Sequence, residues 1–354
     1  MSQRSALFRM SRPFHTARAQ AIDRGMGFLE RLAGRQAGLE MFGSGLLYCC
    51  SFMSATARDP VLRRRARALS LESFRVWQGH RREGIYDGSA ESLASAVQCY
   101  DAASRLGLRF PRIQQQLRAV ARQHAPEDFF WFDPRREAPP ANVPETCACG
   151  AGNQRGARRC AHCEQPLERM PAMRIWYTCF TSAYCGERFG VPLGVRYAEA
   201  LQWLPQMRRY RGPGHGVVPF HDSVYAITHI VYTLNDYGRL LLSPHWLPQE
   251  YNFLAQHWMT PIENNDPDMA GEFIDSLRAF GLTTAEPAIR YAMEYLIESQ
   301  NPDGSWGTRE GHIDYRRFHA TWAALDGLRD FNWTQQGLSF PRLLPRLLRW
   351  ASQS

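Results

Sequence analysis

The chain contains no lysine: all 42 of its basic residues are arginine. This excludes mechanisms that need a side-chain amine, namely pyridoxal phosphate enzymes, Schiff-base aldolases, Walker-A nucleotide hydrolases and lysine-dependent kinases. Drift of a GC-rich coding sequence accounts for the replacement without any functional demand. Also missing is any run of 18 uncharged apolar residues, so no segment reads as a membrane span. Strand-like alternation is scarce. What remains is a chain of 354 residues, 44% hydrophobic and 21% charged, with a mean hydropathy of −0.42. That length suits one large domain or two ordinary ones.

The net charge of +8 is unevenly distributed. Residues 1–170 carry 26 arginines against 16 acids, whereas residues 171–354 carry 16 arginines against 18 acids. A basic half can face an acidic protein partner, an anionic surface or nucleic acid. The arginines are scattered, however, and the densest run (Arg63, Arg64, Arg65, Arg67) fits a solvated helix face, which makes nucleic acid the weaker reading. No acid occurs before Asp23, as in transit peptides, but that signal is weak in an all-arginine chain. The nine cysteines are odd in number and five of them (Cys49, Cys50, Cys99, Cys179, Cys185) fall in helix-like segments. This usage suits a reducing, cytoplasmic compartment.

The other four cysteines cluster between Pro139-Pro140 and Pro171, where the composition turns small and polar. Cys147 and Cys149 form a C-x-C pair, and Cys160 and Cys163 a C-x2-C pair ten residues further on. Two close pairs on separate turns can wrap one tetrahedral Zn²⁺. Disulfides or four free thiols are the alternatives. The spacing of Cys149, Asn153, Cys160 and Cys163 resembles a Ran-binding-protein-type zinc finger over about 20 residues. It departs at the first pair, one residue short, and lacks the preceding tryptophan. The resemblance implies a structural zinc and does not carry over that family's ubiquitin or RNA binding.

Helical apolar runs closing on glycine recur along the chain, at Gly107, Gly190, Gly238, Gly281 and near Gly327. Glycine just past a helix end is the usual left-handed cap. The last intervals are 48, 43 and 46 residues, a spacing of one helical hairpin per repeat. An all-α protein of repeated helix pairs follows. Three segments describe it: basic helical hairpins over 1–138, a four-cysteine zinc-binding insertion over 139–170, and further hairpins over 171–354. The run QNPDGSWG (Gln300 to Gly307) resembles the Gln-Trp motif of squalene and hopene cyclases. RFHATWAALDGL (Arg317 to Leu328) is similar to the histidine-bearing helix of protein prenyltransferase β subunits. Together they imply an α/α toroid over about residues 285–330, with the Gln-Trp motif capping a helix and His319 in the position of a zinc-ligating histidine. The D-x-D-D acid motif of the cyclases and clear counterparts of the other prenyltransferase ligands are absent, so the resemblance implies the fold and leaves the reaction open.

Helical geometry gathers Asp222, Tyr225, His229, Tyr232, Thr233 and Asp236 on one side of the segment 222–236, opposite Val224, Ile227, Ile230, Val231 and Leu234. Aromatics, a histidine and short acids suit a cavity wall better than a solvated face. Glu272 and Asp275 share a face opposite Phe273, Ile274, Leu277 and Phe280, and His319 shares one with Asp326. Counted back from the closing glycines, His229 and Glu272 lie nine residues before and His319 eight before. Two histidines and a carboxylate form the ligand set of catalytic zinc and non-haem iron sites. His229, Glu272 and His319 are therefore candidate ligands of a second metal, zinc or iron. Asp222, Asp275 and Asp326 are candidate imidazole-orienting or acid–base groups, Tyr225 an assistant, and His221 a spare ligand or proton carrier.

Two functions remain open. The favoured one is a toroid enzyme performing cyclisation or group transfer on a small, largely apolar metabolite or a peptide. The rival is a non-catalytic, zinc-containing scaffold that holds an acidic partner or nucleic acid through its basic N-terminal half.

Overall fold

The computed structural model describes residues 11–80, 88–140, 143, 144, 147, 149, 151, 153, 157–167, 169–308 and 315–353. The first ten residues of the segment with a transit-peptide-like charge pattern lie outside them. The described chain is predominantly helical. In chain order the helices are α1 (Ser11–Ala33), α2 (Gln36–Thr56), α3 (Pro60–His80), α4 (Ala90–Arg105), α5 (Pro111–Ala121), α6 (Pro126–Phe130), α7 (Ala172–Phe189) and α8 (Tyr197–Ala200). They continue as α9 (Leu204–Met207), α10 (Val217–Leu234), α11 (Pro248–His257), α12 (Thr260–Glu263), α13 (Pro267–Ala279), α14 (Pro287–Glu298), α15 (Tyr315–Leu328) and α16 (Leu344–Ala351). Among the described residues, strand is confined to two short pairings. Val143–Pro144 (β1) runs antiparallel to Arg169–Met170 (β2), and Leu240–Leu241 (β3) parallel to Gln335–Gln336 (β4). No described helix is long and apolar enough to cross a membrane.

The chain divides into two compact units. One comprises the residues up to His80 together with Leu234–Ser352, and the other runs from Arg81 to Thr233.

In the first unit α13 is the central helix, and every residue from Met269 to Ala279 is buried. Asp266 caps it by accepting from the Met269 N–H at 3.1 Å, and Pro267 takes the first helical position, where a missing N–H costs nothing. It crosses α15 at glycine distance. A Cβ on Gly271 would stand 2.4 Å from the Ala323 carbonyl, and one on Gly327 would stand 3.1 Å from the Gly271 Cα. Gly327 therefore sits inside α15 as a packing residue and does not close a helix. The other four closing glycines are left-handed, with φ of 85° at Gly107, 74° at Gly190, 93° at Gly238 and 93° at Gly281.

The loop Gln300 to Gly307 ties α14 to α1. The buried Trp306 indole N–H donates to the Leu296 carbonyl near the end of α14 at 2.7 Å. The Gln300 carboxamide donates to Ala21 O and Gly304 O, both at 2.9 Å. A Cβ on Gly304 would lie 2.3 Å from the Arg24 carbonyl oxygen, so only glycine fits.

In the second unit α4 packs on α7 around a buried carboxylate. Asp101 accepts from Arg105 Nη2 at 3.3 Å and Arg188 Nε at 3.1 Å. The cysteine-rich stretch lies in this unit, between β1 and β2. The helix expected over 222–236 ends at Leu234, which removes Asp236 from its polar face. Asn235 stops it: its Oδ1 accepts the Gly238 N–H at 3.0 Å while Asp236 and Tyr237 turn left-handed, at φ of 55° and 50°.

Candidate metal centres

The second cysteine pair stands on a tight hairpin. Leu167 N–H donates to Arg158 O at 3.0 Å, Arg159 bridges Pro166, and Cys160 N–H donates to Gln165 O at 2.9 Å. Glu164 takes the left-handed conformation that closes the turn. Asn153 connects this hairpin to the first pair, accepting from Ala161 N–H and donating to Ala151 O, both at 2.9 Å. The four sulfurs thus converge within 4.8 Å of one another. Cys147 Sγ lies 3.4 Å from Cys163 Sγ, and Cys149 Sγ 3.6 Å from Cys160 Sγ.

Tetrahedral zinc with bonds of about 2.3 Å sets its sulfurs about 3.8 Å apart, whereas a disulfide needs about 2 Å. The observed spacing matches the former, and none of the nine cysteines forms a disulfide. Electrostatics favours a cation as well. Backbone N–H groups of Cys163 and His162 pull the Cys160 thiol down to about 6. Cys163 feels a similar pull from Gln165 N–H, but the Cys147 and Cys149 thiols outweigh it and push the group up to about 12. One thiolate forms easily and its neighbours resist, so full ionisation of the set requires a positive ion between them.

A second group of donors belongs to the first unit: Asp268 and Glu272 of α13 with His319 of α15, their ligand atoms within 4.8 Å of one another. His319 Nδ1 donates to Asp268 Oδ1 at 2.8 Å, and His319 Nε2 lies 4.0 Å from Glu272 Oε1. Burial alone would lower the imidazole pKa, but the charge and hydrogen bond of Asp268, with Glu272 and Asp326, lift it to about 9. The Nδ1 bond fixes the tautomer in which Nε2 becomes a ligand once its proton leaves. An ion about 2 Å from each ligand atom fits between Nε2 and Glu272, with Asp268 orienting the ring.

The structure therefore brings together two of the three expected ligands, Glu272 and His319, and adds Asp268. His229 is in neither donor group among the described residues. It stands on α10 in the second unit with Nδ1 hydrogen-bonded to Tyr225 O at 2.7 Å and its ring stacked on Tyr177 of α7, centroids 4.9 Å apart. Asp222, Tyr225, His229 and Tyr232 share its half-buried face with His221, while Thr233 is buried and accepts from or donates to Tyr197 OH at 2.7 Å. Burial raises the Asp222 pKa, against the opposing charges of Arg174 and His221.

The shared helix face paired His319 with Asp326, but Asp326 is engaged elsewhere, accepting from Trp322 Nε1 at 2.6 Å and Arg329 Nε at 2.5 Å. Asp275 lies one turn beyond Glu272, buried, with no hydrogen bond to its Oδ1. Burial and then Asp326 raise it to about 7 against Arg329 and Arg278. No family model, curated protein or solved structure matches the chain.

Proposed function

We propose that this chain is a zinc-bearing helical enzyme of the α/α-toroid type, with Glu272 and His319 holding a catalytic metal, Asp268 orienting the imidazole, and Cys147, Cys149, Cys160 and Cys163 holding a structural zinc. The substrate class is a small, largely apolar metabolite or a peptide, and the reaction a metal- or acid-assisted cyclisation or group transfer in the cytoplasm. The observation carrying this reading is the convergence of two carboxylates and an imidazole from α13 and α15, with Glu272 only 4% exposed. A carboxylate and an imidazole whose other nitrogen is held by a second carboxylate bind zinc, iron or manganese while leaving coordination positions for substrate. Asp275, buried and with a raised pKa, supplies a candidate proton donor in the same helix. Support for the toroid comes from the Gln300–Trp306 loop, which caps α14 as that motif does, and from the left-handed closing glycines.

Elemental analysis tests both sites. Wild type should carry two metal equivalents, Cys160→Ser/Cys163→Ser one, and Glu272→Gln/His319→Ala one. A single equivalent, lost only with the cysteines, would overturn the catalytic site. The scaffold reading would then stand, because an imidazolium held by two carboxylates is already a satisfied structural cluster. Uptake at the second site should also weaken as pH falls below about 9, since His319 must release its proton to bind.

A further inference from the structure

A cavity of about 450 Å³ lies in the first unit, and its lining shares no residue with either donor group. Its walls come from the β3–β4 pairing, the turn at Trp246 and the start of α16. The ten residues around it include one cation, Arg239, and no carboxylate. Leu240, Leu338, Leu344 and Trp246 form its apolar side. Gln335 and Gln336 present exposed carboxamides, which make no hydrogen bond among the described residues.

Arg239 is held in place by the turn that stops α10. Gly238 is obligatory there, since a Cβ would stand 2.4 Å from the Phe331 ring at a φ of 93°. The left-handed Asp236 before it is 3% exposed, and its Oδ2 accepts from Arg239 Nε at 2.5 Å. That bond occupies Nε alone. Both terminal nitrogens of the fork are left for another partner, and the guanidinium is half exposed at the cavity. The floor is fixed by backbone bonds: Gly337 N–H donates to Leu241 O at 2.9 Å and Ser339 N–H to Leu234 O at 2.8 Å.

We propose that this cavity binds a small anion-headed amphiphile. A carboxylate or phosphate would take the Arg239 fork and one of the Gln335 and Gln336 amides, since neighbouring strand residues face opposite sides, with an apolar body of aryl or short alkyl size against Trp246, Leu338 and Leu344. The volume falls within the usual range for ligand pockets, about 300–1,000 Å³, and an apolar lining with a few convergent polar groups is their usual composition. A pre-oriented guanidinium loses less freedom on binding an oxyanion than a free one does.

The test is calorimetric titration with four probes of one skeleton: 4-phenylbutyrate, 4-phenylbutyl phosphate, 4-phenylbutanol and 4-phenylbutylamine. Wild type should bind the carboxylate or the phosphate at least about tenfold more tightly than the alcohol and the amine. Whichever anion binds better identifies the headgroup. Arg239→Gln should abolish the anion preference and leave the alcohol unchanged, while Trp246→Ala should weaken every probe. Arg239→Gln also leaves Asp236 buried without its partner, so Gln335→Ala/Gln336→Ala serves as the second variant. It keeps the Asp236–Arg239 pair and should weaken the anions severalfold, with an unchanged thermal melt. Alcohol binding equal to that of the anions, an anion preference that survives in both variants, or no saturable binding of any probe would overturn the proposal.

Discussion

Asp275 offers a direct measurement of the buried charge along α13. Its side chain is 7% exposed, its Oδ1 has no hydrogen bond, and the carboxylate of Asp326 faces it from α15. The two nearby arginines lower it only through their charge and give its Oδ1 no hydrogen bond. Arg278 Nη1 donates to Gly327 O at 3.2 Å and Arg329 O at 2.5 Å, and its Nη2 to Asp330 at 3.1 Å. Arg329 Nε is bound to Asp326. Desolvation therefore dominates, and the carboxyl is pushed from 3.8 to about 7. The folded protein keeps this proton up to about pH 7, whereas the unfolded chain releases it near 3.8. Between those values the native state binds more protons, so stability falls as pH rises, the reverse of a salt-bridged aspartate.

Carried to full ionisation, the loss is about 4 kcal/mol. Asp275→Asn keeps the shape and removes the titration. Near pH 5 the variant should already be ahead by only about 1–2 kcal/mol in urea unfolding read by far-ultraviolet circular dichroism, because the open chain ionises from 3.8 upward. Near pH 8 the variant should be the more stable, by as much as about 4 kcal/mol. Other titrating groups are common to both proteins and cancel in the difference. A gap that stays constant from about pH 5 to about pH 8 would refute the argument, because it would mean that Asp275 ionises as freely in the fold as in the open chain.

Gly271→Ala should cost about 1–3 kcal/mol in urea unfolding, because the added methyl meets the Ala323 backbone, which yields only if α13 and α15 separate. Trp306→Phe should cost about 1–3 kcal/mol by leaving the Leu296 carbonyl without its indole donor, and a value near zero would remove the capping role of the Gln300–Trp306 loop. Stripping metal with a strong chelator should abolish amide-exchange protection over 157–167 and leave the helical dichroism nearly intact. Unchanged exchange would show that the hairpin holds without zinc.

The readable parts of this fold were those fixed by local chemistry. The C-x-C and C-x2-C pairs announce a convergence of sulfurs because the intervening turns are too short to do otherwise. QNPDGSWG announces a helix end because its Gly304 admits no side chain and its tryptophan needs an acceptor when buried. Gly327 misled for an equally physical reason. Glycine serves both left-handed caps and close helix crossings, and only the facing Gly271, 56 residues away in the chain, distinguishes the two. Counting back from a presumed cap then grouped His319 with His229 and Glu272 and left Asp268 unnoticed.

A better signal was present. Asp268, Glu272 and Asp275 are spaced i, i+4, i+7 on a helix whose residues from Met269 to Ala279 are all buried, so Glu272 and Asp275 have little water to answer them and Asp268 is only partly exposed. Such a stripe demands donors on the neighbouring helix at matching spacing. Tyr315, His319, Trp322, Asp326 and Arg329 form that stripe on and just past α15, with His319 opposite Asp268 and Glu272. Matching one buried polar stripe against another, and not counting back from glycines, is what brings Asp268 to the imidazole.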